Sequence, residues 1–233
     1  MVGLIIQLLL SYIFIYWLRR ENLSVLGLKP TLPRLKYFTQ FLFISGFCSS
    51  ITFLLRIFFT NEAWQLNPSL NWELAGNGIG YNIKSVLYEE LIFRGVLLYL
   101  LIKRFGGKIA LLISAAGFGI YHWFSYEIFD NPINMAWIFL ITGTAGIVYG
   151  IGYLKTGSLF VPIGMHFGWN FVNAFVFSNG NTGPGILQQN LPVPQTQVSY
   201  FVFFLITFLH FILFAAISIL LLYRKSDAIQ KDQ

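Results

Sequence analysis

The chain is built from apolar runs long enough to cross a bilayer, and that leaves few folds open to it. A spanning helix needs about 20 mostly apolar residues. Seven stretches qualify, at 2–18, 37–59, 79–102, 108–124, 134–154, 159–177 and 200–223. In lipid the backbone must satisfy its own hydrogen bonds, so such runs fold as helices. The expected fold is all-α, a polytopic membrane bundle of about seven transmembrane helices forming a single integral membrane domain over 1–233. Composition agrees. Only 10% of the residues are charged, against roughly a quarter in a soluble domain, so there is no room for a second soluble domain. No internal repeat of fixed period is visible.

The loops carry the topology. Arg19, Arg20, Lys29, Arg34 and Lys36 follow the first run, Lys103, Arg104 and Lys108 the third, Lys155 the fifth, and Arg224, Lys225 and Lys231 the seventh. The intervening loops hold Glu62, Glu73, Glu127 and Asp130 but no Lys or Arg. Twelve of the fifteen basic residues thus fall on one side, which the positive-inside rule reads as cytoplasmic. The N-terminus is then expected outside and the C-terminus in the cytoplasm. The net charge of +6 reads as topology rather than as a nucleic-acid surface, and no nucleic-acid partner is expected. The first run lacks a basic leader and is followed by Arg19-Arg20, the reverse of a secretory signal, so it reads as a retained helix. Cys48, the single cysteine, excludes an intramolecular disulfide and a cysteine-based metal cluster. The segment 178–199 is rich in Gly and Pro and uncharged, and is expected to be an external loop without regular structure, a connector rather than a lid.

Three basic residues lie inside apolar runs. Arg56 and Lys84 are near run ends and can snorkel to the interface. Arg94 is not, and it sits in Glu89-Glu90-Leu91-Ile92-Phe93-Arg94. Charges at that depth cost a few kcal/mol or more each, roughly, so they point to function. Glu90 and Arg94 are four apart and suited to an ion pair. Glu89, rotated by about 100° on an ideal helix, faces elsewhere and suits a general base. The competing reading is a structural ion-pair cluster that ties helices together. His122 ends Phe118-Gly119-Ile120-Tyr121-His122, and His166 shares a helix face with Asn170 four residues later. Two donors on one face can stabilise a developing oxyanion. Glu89, His122 and His166 could alternatively ligate a divalent metal such as zinc, although no His-Glu-x-x-His pair supports it. His210 and Asn173 read as structural residues. Gly143, Gly146 and Gly150 read as sites of close helix approach, and Pro162 as a first-turn residue placing His166 about one turn into its helix.

Taken in order, Glu-Glu-x-x-x-Arg, Phe-x-x-x-His and His-x-x-x-Asn, each in its own apolar run, resemble the CAAX protease and bacteriocin-processing (Abi) family of intramembrane proteases. The matching residues are Glu89, Glu90 and Arg94; Phe118 and His122; and His166 and Asn170. The stretch from Gly146 to His166 also resembles the family's third motif region. The likeness covers about 80–177. It implies a helix bundle around an intramembrane catalytic cavity, with a protease core at about 79–177 and accessory helices at 2–18, 37–59 and 200–223. By the same likeness Glu89 and His122 activate water, His166 and Asn170 form the oxyanion hole, and Glu90 and Arg94, with Phe118, support them. The family is often labelled metalloprotease, but a glutamate mechanism that requires no metal is expected. The implied partners are a peptide or membrane-protein substrate and membrane lipid, in what is expected to be a bacterial cytoplasmic membrane. Two further functions fit some of the same residues. One is a non-catalytic scaffold or bacteriocin-immunity protein of this fold. The other is a proton-coupled transporter relaying through Glu89, Glu90 and His122, against which the missing repeat counts.

Overall fold

The computed structural model describes residues 2–178 and 185–231, with side chains through Arg224. Helices dominate. In order they are α1 (Val2–Arg19), α2 (Leu32–Thr60), α3 (Trp72–Glu90), α4 (Leu98–Phe105), α5 (Gly107–Ser125), α6 (Pro132–Thr156), α7 (Phe160–Asn170), α8 (Tyr200–Phe204) and α9 (His210–Lys231). Among the described residues four helices are long and apolar enough to cross a membrane: Val2–Arg19, Leu32–Thr60, Pro132–Thr156 and Tyr200–Arg224. The protein is an integral membrane helix bundle. The other three apolar runs are also helical, but two of them are interrupted. π-helical turns occupy Leu91–Leu97, between α3 and α4, and Phe171–Val176, after α7. A third, Leu205–Leu209, separates α8 from α9 inside the last apolar run.

Several helices begin earlier than their apolar runs because capping extends them. Asn71 accepts from the Leu74 N–H at 2.9 Å and starts α3 at Trp72, seven residues before the hydrophobic pattern begins. Asn131 caps α6 in the same way, ahead of Pro132, whose missing N–H costs nothing at the first position. Pro162 lies in the first turn of α7, and His166 follows in its second turn.

The chain divides into two compact units. The first comprises the chain up to Phe38, Leu87–Ile163 and the chain from Ile219. Its core packs Leu4, Ile15, Leu26, Leu91, Leu98, Tyr99, Ala110, Tyr153 and Leu159. α5 and α6 lie close together. A Cβ on Gly146 would stand 3.1 Å from the Ala115 Cα, and one on Gly150 would enter the Leu111 side chain. The turn after α6 is tied to the turn after α1. Gly157 ends α6 at φ 58, where a side chain would be strained. Beyond it, Ser158 Oγ donates to the Gly27 carbonyl at 2.9 Å, and Tyr153 donates to the Val25 carbonyl at 3.0 Å.

The second unit comprises Thr39–Val86 and Gly164–Ser218. Here α2 and α7 touch: a Cβ on Gly168 would collide with the Leu42 carbonyl oxygen. This unit also corrects the expectation of a loop without regular structure at 178–199. A three-stranded sheet runs in the order β1 (Trp64–Leu66), β3 (Leu187–Gln189), β2 (Phe177–Ser178). β3 pairs antiparallel with β1, Trp64 opposite Gln189, and parallel with β2. Glu62 anchors the end of this sheet, accepting from Arg56 at 2.7 Å and from Gln189 at 3.0 Å. Arg56 is therefore paired rather than merely snorkelling. Residues 179–184 of that segment lie outside the described residues.

Candidate active site

In the first unit the end of α3 and the π turn after it deliver three charged side chains. Glu90 Oε1 meets Arg94 Nη1 at 3.0 Å, and both side chains are fully buried. The guanidinium is enclosed by aromatic faces. Its carbon lies 3.8 Å from the Phe118 ring centre, 5.1 Å from Tyr149 and 5.9 Å from Phe93. Cation–π contacts of this kind strengthen where water is excluded. The π turn is accommodated by α5: Ser114 Oγ donates to the Phe93 carbonyl at 2.7 Å, and Gly95 takes a non-helical ψ of −105. π turns recur at functional sites because they re-aim side chains.

Glu89 Oε2 faces His122 Nε2 at 3.9 Å, and both residues are buried. The other ring nitrogen, His122 Nδ1, lies 2.8 Å from the Phe118 carbonyl. A carbonyl only accepts, so Nδ1 is the protonated nitrogen and, in the neutral ring, Nε2 presents a lone pair toward the carboxylate. Phe118 thus serves twice, its ring against Arg94 and its carbonyl against His122.

In the second unit α7 carries His166 and Asn170 on one face. The Asn170 amide nitrogen lies 3.1 Å from His166 Nε2, and His166 is buried. Asn173 is linked to Ser49 and donates to the Trp169 carbonyl at 3.0 Å, a role in holding α7. His210 stacks on Trp169, with ring centres 5.4 Å apart. Sequence reasoning missed Tyr149, Ser114 and Ser49. Tyr149 had one available signal, since it sits three residues after Gly146 and so faces the same helix.

Glu89 and His122 provide two potential metal ligands, and catalytic zinc takes three from the protein. Among the described residues no three His, Cys, Asp or Glu side chains group closely enough to hold a metal ion.

Residues 71–172 match a family model described as "Type II CAAX prenyl endopeptidase Rce1-like". This segment is similar to the CAAX protease family. The match includes every motif residue from Glu89 to Asn170. At the family level it supports a CAAX-protease-like intramembrane endopeptidase. No curated protein and no solved structure matched the chain.

Proposed function

We propose that this protein is a member of the CAAX protease family and hydrolyses peptide bonds within the membrane by a glutamate mechanism, with Glu89 and His122 acting on one water molecule. The buried Glu89–His122 pair at 3.9 Å carries the reading. That separation is too long for a direct hydrogen bond and suits two acceptors sharing one water, each accepting a hydrogen bond from it. Attack of that water on a peptide carbonyl passes a proton to the Glu89–His122 pair and forms a tetrahedral oxyanion. Cleavage of the C–N bond then returns the proton to the leaving amine. General acid–base catalysis of this kind contributes about 10²–10⁴-fold.

His166 and Asn170 are assigned to the oxyanion by the family resemblance and by their pairing on one face of α7. Glu90, Arg94 and Phe118 position the pair: Glu90 neutralises Arg94, and Phe118 fixes the His122 ring. The substrate is a peptide or membrane protein presented in lipid, and the whole chain acts as one membrane domain. Following the distribution of basic residues, its N-terminus is outside and its C-terminus is in the cytoplasm of a bacterial cell. Metal is not required in this scheme.

The test is cleavage of fluorogenic and lipid-modified peptides by purified protein in detergent, comparing wild type, Glu89→Ala and His122→Ala with and without a strong chelator. Activity lost in both variants and kept under chelation supports the scheme. Activity lost on chelation and restored by zinc replaces it with a metal mechanism. Equal cleavage by all three proteins removes the assignment. A buried cluster that only ties helices together, as in a non-catalytic scaffold or immunity protein, predicts that in-cell function survives Glu89→Gln.

A further inference from the structure

A cavity lined by two basic residues lies in the first unit, and none of the candidate catalytic residues lines it. It encloses about 230 Å³, with Thr31, Arg34 and Tyr37 from the start of α2 on one side and Lys155, Thr156 and Phe160 on the other. α2 and α6 are both long and apolar enough to span. The cavity therefore sits where one spanning helix begins and another ends, at the depth of lipid headgroups.

Its charge is one-sided. No acidic residue lines it. Among the described residues the ion pairs are Arg56–Glu62, Arg94–Glu90, Lys103–Glu21 and Glu89–His122, so neither Arg34 nor Lys155 meets a carboxylate there. Each is nevertheless held in place. Arg34 Nη1 donates to the Lys29 carbonyl at 2.9 Å, and Lys155 Nζ rests 3.8 Å from the Tyr223 ring centre. Anchoring one nitrogen leaves other guanidinium N–H groups to bind an anion, and their planar fork suits phosphate. The N-terminus of α2 adds its positive end to the same cavity. Pro33, Phe160 and Val161 complete the lining with apolar surface.

We propose that this cavity binds the phosphate of an anionic phospholipid, with Arg34 and Lys155 on the headgroup and the apolar lining against its glycerol and upper acyl region. Both its depth and that apolar lining favour a lipid over a soluble anion. Basic pockets between helix ends at the membrane surface take such headgroups.

Native mass spectrometry of the full chain in detergent tests this, with phosphatidylglycerol, phosphatidylcholine and inorganic phosphate as separate probes. Wild type is expected to retain phosphatidylglycerol over phosphatidylcholine, and Arg34→Gln/Lys155→Gln to weaken that binding about tenfold or more, at roughly a factor of five per basic residue. Lys29→Gln/Lys36→Gln removes the same charge from exposed positions outside the cavity and is expected to leave binding within twofold. Arg34→Lys, which keeps the charge and loses the fork, gives an intermediate loss and covers the case in which the double variant does not fold. Equal loss in the two double variants would reduce the effect to general charge attraction. Unchanged binding in Arg34→Gln/Lys155→Gln would overturn the site. Inorganic phosphate binding as tightly as the lipid would overturn the lipid as occupant.

Discussion

The Arg94 guanidinium carbon stands 3.8 Å from the centre of the Phe118 ring, while Glu90 holds the same group at 3.0 Å. One buried cation is thereby shared between a carboxylate at the end of α3 and an aromatic face on α5, with Tyr149 of α6 at 5.1 Å. Phe118 passes the constraint on, because its carbonyl is the partner of His122 Nδ1. The orientation of the ring facing Glu89 therefore depends on packing around Arg94.

Removing the cation alone is expected to be costly. Arg94→Met leaves the Glu90 carboxylate buried without its counter-charge and should lower stability by about 3–5 kcal/mol. Glu90→Leu/Arg94→Met should recover most of that loss, since replacing a whole buried pair with apolar groups is often neutral. Thermal unfolding in detergent reads both. A double variant as unstable as the single one would mean that the pair is not what holds these helices.

Glu89→Gln and His122→Gln should each reduce kcat/KM by about 10²–10⁴-fold with little change in unfolding temperature. Residues that act on one water are non-additive, so the double variant should be hardly slower than either single one. Multiplied losses would show that the two residues serve separate steps.

Asn170 and Asn173 occupy neighbouring turns and should separate by kind of effect. Asn170→Ala is expected to lower kcat by about 10²–10³-fold, the size of a lost oxyanion donor. Asn173→Ala instead removes a link between the π turn after α7 and Ser49. It should cost about 1–3 kcal/mol of stability and leave the rate of the folded fraction unchanged. Rate and unfolding measurements on both variants decide the matter.

Two glycines should respond in opposite directions. A Cβ at Gly146 would lie 3.1 Å from the Ala115 Cα and 3.3 Å from Arg94 Nη2, so Gly146→Val should destabilise by about 1–3 kcal/mol through overpacking. Gly76 lies exposed within α3, and a methyl group there would meet no described atom within 4 Å. Gly76→Ala should stabilise by up to about 1 kcal/mol through helix propensity alone. Unfolding temperatures of the two variants measure the contrast.

Long apolar runs were legible as helices because lipid leaves the backbone no other partner. The Glu90–Arg94 pair was legible because it depends only on spacing along one turn. Helix starts were harder to read. Asn71 begins α3 well ahead of its apolar run, through a cap that Gly76, Gly78 and Gly80 disguise. The π turns could not be read at all, since what permits the first is a hydroxyl from another helix, Ser114 on Phe93. β3 escaped for the same kind of reason: Gln189 is opposite Trp64, a partner 125 positions away, and neither segment alternates clearly. Tyr149 is one tyrosine among twelve, and only the packing of α5 on α6 distinguishes it.

The π turn at Leu91–Leu97 also lies at a kink, where Gly95 leaves helical geometry between two helical segments. A wider turn holds about one residue more than an α turn, and one residue corresponds to about 100° of rotation. Upstream, the angular position of Glu89 and Glu90 is set by the groups they must face. Downstream, Leu98 and Tyr99 must point into the core of the first unit. Winding the same residues as a regular α-helix, with none removed, would swing one set out of place by about a quarter of a revolution. The turn thus works as a phase adapter, letting the chemical end of α3 and the packing end of α4 each keep its own angle.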